Sequence, residues 1–249
     1  MTPATIDVRG VRFADVTLDE AAQYLRDAVR SGVRRGAVFT PNSEIVQASI
    51  DDAALREILN SSLLSVPDGI GVVKAARILG TPLKGKVAGV ELGRLVLAFA
   101  AEDGVPVCLL GGKPGVAEQA AERLCEELPG LRVCGTHDGY FRKEGPENEA
   151  VVRWVNECGA GILFVCFGAP AQERWIAANR DALPGVQLLL GLGGSLDIYA
   201  GTVQRAPKIF IRLGLEWLYR LLREPRRIGR MMQLPRFYFG TWRYKLFGR

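Results

Sequence analysis

The stretch FTPNSEIVQ (residues 39–47) ends an apolar run with Thr-Pro-Asn and then continues with helical spacing. One helix length later, SVPDGIGVV (residues 65–73) ends another apolar run with Pro-Asp-Gly. Proline fixes the local backbone and cannot continue a central strand, so the residue after it is held in place. The two stretches therefore predict two strand exits, each carrying a fixed polar side chain, Asn42 or Asp68.

Short apolar strands and amphipathic helices alternate along most of the chain. Thr17 and Glu20 have the spacing of a capping box before the first helix. Strands are predicted at 36–40, 63–66, 105–112, 131–136, 161–168 and 186–194, and helices at 21–30, 43–60 (with Asp51 opening its second half), 70–79, 114–128, 147–158 and 171–183. Strands that are apolar throughout and separated by such helices indicate a parallel sheet with helices on both faces. The predicted class is α/β, with a Rossmann-like, mostly parallel sheet.

The composition is that of a globular protein, with 48% hydrophobic and 24% charged residues in a chain of 249. The first residues have no basic segment followed by an apolar run, so no secretory signal is predicted. The longest uncharged runs have 14 residues, fewer than the roughly 18–20 that a spanning helix needs. Five cysteines without a C-x-x-C pair predict neither a disulfide framework nor a zinc site. We therefore expect a reducing, cytoplasmic environment.

Charge and aromatic content divide the chain near Arg205. Residues 205–249 hold 12 Lys and Arg against two Glu, and nine of the 20 aromatic side chains, whereas residues 1–204 hold 20 basic and 25 acidic residues. A shift of this size marks a domain boundary, and apolar residues recur at helical spacing between 207 and 223. We predict an α/β domain over 1–204 and a basic, aromatic, mainly helical C-terminal appendage over 205–249.

Polar or glycine residues follow the predicted strands, and in a parallel sheet those strand ends meet at one edge. The residues concerned are Thr40 and Asn42, Asp68, Gly111 and Gly112, His137 and Asp138, Gln172 and Glu173, and 191–197. Taken singly, an Asn or Asp in this position is most often an ordinary helix cap. Taken together, the set favours a ligand site at that edge of the sheet.

Eight motifs resemble, in order, those of the WecG/TagA/CpsF family of bacterial glycosyltransferases. They are TPN (40–42), PDGIGVV (67–73), KVAGVEL (86–92), LLGGKPGVAEQAAERL (109–124), GTHDGYF (135–141), FGAPAQE (167–173), GLGGSLDIYAG (191–201) and RAP…GLEWLYRLLREPRR (205–227). The resemblance implies that residues 1–204 are a catalytic domain. It also implies inverting transfer of a sugar from a UDP donor to an undecaprenyl-diphosphate-linked acceptor, without an essential metal. The best-known members add N-acetylmannosamine to lipid-linked N-acetylglucosamine in wall teichoic acid synthesis.

The resemblance also assigns roles to individual residues. Asp68 matches the family's proposed general base, and Thr40 and Asn42 match its sugar-binding pair. Gln172 matches the glutamine that would donate a hydrogen bond to substrate, whereas the neighbouring Glu173 fits the start of a helix equally well. A general base is what inverting transfer requires, because the acceptor hydroxyl must lose its proton as it attacks the anomeric carbon.

Two positions depart from the family pattern. Lys86 stands where the family usually has Arg, and Glu91 where it usually has Asp. Lysine loses the bidentate contact that arginine makes with phosphate or carboxylate, so the roles of both positions are weakened. Lys86 is still a candidate substrate contact. His137 and Asp138 suit acid–base chemistry and loop stabilisation equally well.

Neither a metal nor a cofactor is expected. The chain has no D-x-D motif, and GLGGSLD (191–197) follows the last strand, where the dinucleotide fingerprint does not occur. Without Mg²⁺, cationic side chains or helix N-termini must neutralise the diphosphate. Three arginines of the appendage are candidates for this role, Arg220, Arg223 and Arg227.

The basic, aromatic appendage predicts attachment to an anionic membrane surface, because basic side chains attract anionic headgroups and aromatic rings settle at their depth. The predicted location is peripheral, on the cytoplasmic face of the bacterial plasma membrane. Nucleic-acid binding is less favoured, since no recognition module accompanies the basic residues. A different UDP-sugar donor, such as UDP-glucuronate or UDP-N-acetylmannosaminuronate for exopolysaccharide, is an alternative, and a non-catalytic nucleotide- or nucleic-acid-binding protein is a weaker one. A sheet edge or the appendage could support a homo-oligomer, and the sequence leaves that open.

Overall fold

The protein is built on a parallel sheet of six strands, preceded in the chain by an antiparallel hairpin. The structure is a computed structural model, and it describes residues 2–204, 206–207, 209–210, 216–223, 229 and 233–248. The strands are β1 Thr5–Val8, β2 Val11–Ala14, β3 Gly36–Phe39, β4 Leu64–Ser65, β5 Val107–Gly111, β6 Val133–His137, β7 Ile162–Cys166 and β8 Leu188–Gly191. The sheet order is β4-β3-β8-β7-β5-β6, and all its neighbouring strands are parallel. The predicted α/β class is confirmed.

Helices connect these strands. They are α1 Leu18–Arg30, α2 Ser43–Asp51, α3 Ala53–Asn60, α4 Ile70–Leu79, α5 Gly89–Asp103, α6 Val116–Glu127, α7 Gly145–Glu157, α8 Ala171–Asn179, α9 Ser195–Tyr199, α10 Glu216–Arg223 and α11 Gln233–Phe247. The predicted capping box begins α1, where the Thr17 backbone N–H donates to Glu20 Oε2 at 2.8 Å. Within the described ranges, no helix is both long and apolar enough to cross a membrane.

The sheet separates two hydrophobic cores, because successive side chains of a strand point to opposite faces. One core contains alternate strand residues such as Val38, Leu109 and Phe164, together with α1, α5, α6 and α9. The other contains their neighbours, such as Phe39 and Leu110, together with the hairpin, α2, α3, α4, α7 and α8. Helices therefore cover both faces, as the uninterrupted apolar strands predict.

Local structure differs from the sequence prediction in several places, among them a split helix, the N-terminal hairpin and α5. A single helix was predicted over 43–60, but α2 ends at Asp51 and Asp52 adopts extended backbone angles (φ −129°, ψ 92°). The Asp52 carboxylate then accepts a hydrogen bond from Leu55 N at 2.9 Å, so it begins α3 as an N-cap in place of Asp51. The β1–β2 hairpin and helix α5 were not predicted, although TIDVRGVRFA alternates and α5 has apolar residues at helical spacing.

The C-terminal helix α11 is part of the second core. It packs against α2 and α4, with Phe237 and Thr241 fully buried at the contact. The hairpin tip reaches the same helix, since the Arg9 guanidinium lies 5.6 Å from the centre of the Tyr244 ring. The end of the predicted appendage therefore contacts the first element of the domain.

We predict that Phe237→Ala destabilises the protein by about 3–5 kcal/mol, the usual cost of deleting a buried phenylalanine side chain. Urea denaturation followed by circular dichroism measures this free energy of unfolding. Phe239→Ala is the matched control, because it removes the same ring from the same helix at a side chain that is 77% exposed. Equal unfolding free energies for the two variants would contradict the packing of α11.

Candidate functional site

The carboxyl ends of the six parallel strands form one edge of the sheet, which we call the rim. It consists of the loops that follow the strands, at 40–42, 66–69, 112–115, 138–144, 167–170 and 192–194. In open α/β sheets ligands bind in the crevice at this edge. Most of the residues predicted from the sequence to form a site lie in these loops or in the first turns of the helices that follow them.

Asp68 is held at the β4 end of the rim by contacts of its own loop. Its backbone N–H donates to Pro41 O at 3.2 Å, and the preceding Pro67 O accepts from Val87 N at 2.9 Å. The N-cap of α4 is Gly69, whose φ of 95° suits glycine, and no side chain caps the helix. The half-buried Asp68 carboxylate is therefore not used as the cap of α4.

Three helix N-termini meet beside Asp68. The first turns of α2 and α4 are in contact, since a Cβ added at Gly71 would collide with Ser43 Oγ. The first residue of α5, Gly89, packs on Thr40, and a Cβ there would lie 2.8 Å from Thr40 Oγ1. Backbone N–H groups at a helix start have no intrahelical partner and carry positive partial charge. This end of the rim therefore favours an anionic ligand.

Thr40 and Asn42 are both tied into the scaffold. The buried Thr40 hydroxyl donates to Gly191 O at 3.4 Å. The Asn42 side-chain oxygen accepts from the backbone N–H groups of Glu44 and Ile45 at 2.9 and 3.0 Å, so it caps α2. Among the described residues, none accepts a hydrogen bond from Asn42 Nδ2. Asn42 can therefore cap a helix and still offer a donor to a ligand.

Gln172 lies beneath the rim and not on its surface. Its side chain is buried, with Oε1 accepting from Gly193 N at 2.8 Å and Nε2 donating to Glu173 Oε1 at 2.9 Å. Gly191 and Gly193 belong to the β8 exit, which Thr40 also holds. Both polar side-chain atoms of Gln172 thus make contacts that position the β8 loop, and its contact with substrate stays a prediction.

Glu173 lies in the first turn of α8, one of the two alternatives left open for it, and is fully buried next to Gln172. Its Oε2 atom has no hydrogen-bond partner within the described part of the chain. Burial raises the pKa of the Glu173 carboxyl above its ordinary value, and the hydrogen bond from Gln172 only partly opposes that shift. A buried carboxyl of this kind tends to keep its proton.

The other predicted substrate contacts lie near the start of α5 or in the C-terminal segment. Lys86 and Glu91 flank the start of α5, and Lys86 directly precedes Val87, which binds the Asp68 loop. Arg220 and Arg223 lie on α10, but the positions of their side chains are outside the description, and Arg227 lies outside the described residues. The structure thus brings Thr40, Asn42, Asp68 and the Lys86 segment together, with Gln172 behind them.

His137 and Asp138 stabilise a turn at the other end of the rim. His137 Nδ1 lies 2.7 Å from Asp138 O, and Asp138 Oδ1 accepts from Tyr140 N at 2.7 Å. The His137 ring also packs against Phe141 and Trp154, with ring centres 5.6 and 5.2 Å apart. These contacts favour the loop-stabilising alternative over acid–base chemistry.

Tyr238 of α11 is a rim neighbour that the sequence analysis missed. Its hydroxyl would lie 3.6 Å from a Cβ at Gly71, so it approaches the paired first turns of α2 and α4. Burial raises the pKa of the Tyr238 phenol, which therefore stays protonated. No motif marks this residue, because its position depends entirely on how α11 docks.

Within the described ranges, no three His, Cys, Asp or Glu side chains are close enough together to hold a metal ion.

A sequence model of the Glycosyl transferase WecG/TagA/CpsF family matches residues 6–249 of the chain. The match extends from β1 to the end of α11, so it includes every rim loop and the C-terminal helix. It also includes all eight motifs on which the resemblance was based.

We predict that Glu173→Gln stabilises the protein at pH 7.5 and that the gain shrinks towards pH 4.5. A raised pKa means that the folded protein keeps a proton that the unfolded chain releases, so the wild type loses stability as the pH rises from the ordinary Glu pKa through the folded value. Glutamine keeps the acceptor for Gln172 without that titration. Melting temperatures across the pH range test this, with the exposed Glu149→Gln as control. A difference between variant and wild type that does not change with pH would refute the protonated carboxyl.

Proposed function

The chain belongs to the WecG/TagA/CpsF family of glycosyltransferases, and from that premise we propose which sugar transfer it catalyses and how. The proposed reaction is inverting transfer of a sugar from a UDP donor to an undecaprenyl-diphosphate-linked N-acetylglucosamine acceptor, for a cell-surface polysaccharide. The family supports sugar transfer in cell-surface polysaccharide synthesis in general. The donor, the acceptor and the roles of the residues are our proposal.

The observation that carries the proposal is the convergence of three helix N-termini, those of α2, α4 and α5, around Asp68. A carboxylate beside positive helix ends suits a reaction in which a base and a diphosphate must lie close together. Gly69 provides the turn before α4 without a capping side chain, and we assign the role of the base to the Asp68 carboxylate that precedes this turn.

In the proposed step, Asp68 accepts the proton of the acceptor hydroxyl as its oxygen attacks the anomeric carbon of the donor sugar. The bond from that carbon to the donor diphosphate breaks, and UDP leaves with the bonding electron pair. Helix N-termini and Lys86 would stabilise the charge that develops on the diphosphate, without a metal. Arg220, Arg223 and Arg227 are further candidates for this role. Asn42 Nδ2 would donate to a sugar hydroxyl, and Thr40 and Gln172 would hold the β8 loop.

N-acetylmannosamine is the proposed donor sugar, as in teichoic acid synthesis by the best-known family members. UDP-glucuronate and UDP-N-acetylmannosaminuronate remain the alternatives. A negatively charged sugar would require a further cation beside the three helix ends, so a panel of neutral and acidic UDP-sugars distinguishes the candidates.

The distribution of exposed apolar side chains supports the proposal of a lipid-linked acceptor. Among the described residues, all exposed large apolar side chains other than Tyr140 lie at or beyond Val203. Such clustering marks an interaction surface. The acceptor's prenyl chain stays in the bilayer because withdrawing it costs about 0.8 kcal/mol per CH₂, so the enzyme must bind at the cytoplasmic membrane surface.

Helix α11 presents the clearest part of this surface. Phe239, Trp242 and Leu246 follow the spacing i, i+3, i+7, which places them on the side opposite the buried Phe237 and Thr241. Basic residues flank this exposed face, including Arg243 and Lys245. Anionic headgroups would attract those charges, and the rings would enter the interface to headgroup depth.

We predict that Asp68→Asn lowers turnover by roughly 100-fold or more, the usual cost of losing a general base. UDP affinity and melting temperature should change little, since asparagine keeps the shape of the side chain. The assay measures sugar transfer from a UDP-sugar panel to a prenyl-diphosphate N-acetylglucosamine analogue, with and without EDTA.

Asp181→Asn is the control, because it removes an exposed carboxylate at the opposite end of the sheet. Wild-type turnover in Asp68→Asn would reject Asp68 as the base but leave the reaction intact. Absence of transfer from every donor by the wild type would reject the proposed donors or acceptor, and loss of activity with EDTA would reject metal independence.

We also predict that Phe239→Ser with Trp242→Ser reduces sedimentation with phosphatidylglycerol liposomes several-fold, since burial of these two rings contributes to binding. The melting temperature should be unchanged because both side chains are exposed. Added salt should weaken wild-type binding further.

Val203→Ser, which removes an exposed apolar side chain outside α11, is the control and should sediment like the wild type. Undiminished sedimentation of the double variant would show that α11 is not the docking surface. If the wild type bound neutral phosphatidylcholine liposomes as well as phosphatidylglycerol liposomes, electrostatic attraction would not contribute to binding.

A further inference from the structure

A lysine fills an aromatic cage at the β6 end of the rim. The Lys143 ammonium lies 3.4 Å from the centre of the Phe141 ring and 4.1 Å from that of Phe167. It also donates hydrogen bonds to Gly139 O at 2.6 Å and to Phe141 O at 3.1 Å. The cation is thus held by two rings and two carbonyl groups at once.

The two carbonyl groups belong to the residues on either side of Tyr140, whose side chain is 69% exposed at the rim. The Tyr140 backbone N–H is fixed as well, because it donates to Asp138 Oδ1. Gly139 N donates in turn to Gly112 O at 2.9 Å, which links this turn to the β5 loop. The exposed Tyr140 ring thus stands on a backbone held by hydrogen bonds at residues 139, 140 and 141. Such a ring can contact a ligand with little loss of conformational entropy.

We propose that Lys143 is a positioning residue for the proposed transferase: its ammonium holds the turn around Tyr140 against Phe167, and thereby shapes the β6 end of the rim for the donor. This inference rests on the proposed function for its substrate. The contacts of the Lys143 ammonium with Gly139 O, Phe141 and Phe167, which we call the clasp, are a property of the fold itself. Lys143 would act through Tyr140 and not by touching the reacting atoms.

Burial lowers the pKa of Lys143 to about 8, and the attraction of Asp138 and Glu147 only partly opposes that shift. The group on its β7 side, Phe167, is uncharged. A cation whose pKa falls on folding opposes global stability while it is protonated. Its contribution is therefore to the geometry of the turn, a property that can be separated from stability.

Asp68 and Lys143 follow strands at opposite edges of the sheet, β4 and β6. In the proposed function the reacting end of the donor lies beside Asp68, so only its nucleoside end would extend along the rim towards the Tyr140 turn. A change at Lys143 should therefore alter donor binding while leaving the chemical step at Asp68 intact. This separation predicts an effect on KM with little effect on kcat.

The test compares the wild type, Lys143→Met and the control Arg142→Met. The control removes a positive charge from the preceding residue, whose side chain is 87% exposed and does not contact the carbonyl groups of the turn. We expect the backbone amides of residues 139–142 to exchange hydrogen at least about tenfold faster in Lys143→Met than in the wild type or in Arg142→Met. We expect the donor KM to rise about tenfold with kcat within about threefold. In a double-mutant cycle, Lys143→Met should raise the donor KM much less when Tyr140 is already alanine than when Tyr140 is present.

Stability provides a further readout. Wild-type stability should rise relative to Lys143→Met as the pH increases from about 8 to 10, because the folded wild type sheds a proton that the unfolded chain keeps. Wild-type exchange rates in Lys143→Met would overturn the clasp, and faster exchange with an unchanged donor KM would overturn the positioning role. Absence of any UDP-sugar transfer by the wild type would reject the proposed function instead. The hydrogen-exchange rates would still show whether Lys143 holds the turn at residues 139–142.

Discussion

The common direction of the six strands is the constraint on which the rest of the structure depends. Because β3 to β8 all run the same way, each strand ends at one edge, and the helix that follows each strand starts there. Helix α5 follows α4 and not a strand, but it begins at the same edge. Glycine at positions 71 and 89 lets the starts of α4 and α5 pack directly on Ser43 and Thr40. The positive end of the rim thus results from strand direction plus two missing side chains, and it needs no cluster of basic residues.

The sequence predicted this edge well, because its signals are local. Pro41 and Pro67 mark strand exits by their own backbone restriction, and apolar strands imply a sheet covered on both faces. Contacts between distant segments were not accessible in the same way. Gln172 was predicted to form a hydrogen bond with substrate, but its contacts with Gly193 and Glu173 were not predicted, because they depend on how β8 lies beside β7. The position of Tyr238 depends likewise on the docking of α11.

A buried carboxyl, that of Glu173, and a half-buried amine, that of Lys143, support the loops of the rim at the cost of global stability. Glu173 backs the β8 loop through Gln172, and Lys143 clasps the β6 loop, and burial shifts the pKa of each towards its neutral form. Side chains of this kind specify one arrangement of a loop where an apolar residue would allow several. Two loops of the rim are thus fixed by different chemistry, the central β8 loop by a carboxyl–amide pair and the β6 loop at the edge by a cation between rings.

The contact between the β1–β2 hairpin and α11 joins the first and last described elements of the chain. During synthesis the N-terminal part of a chain emerges from the ribosome first, and folding starts there. The groove between α2 and α4 must then wait, with Phe237 absent, until α11 has been synthesised. Before that point the groove is an apolar surface open to chaperones, and the helix that closes it also carries the exposed aromatic face. Docking of α11 would therefore close this core and present the exposed aromatic face in the same event.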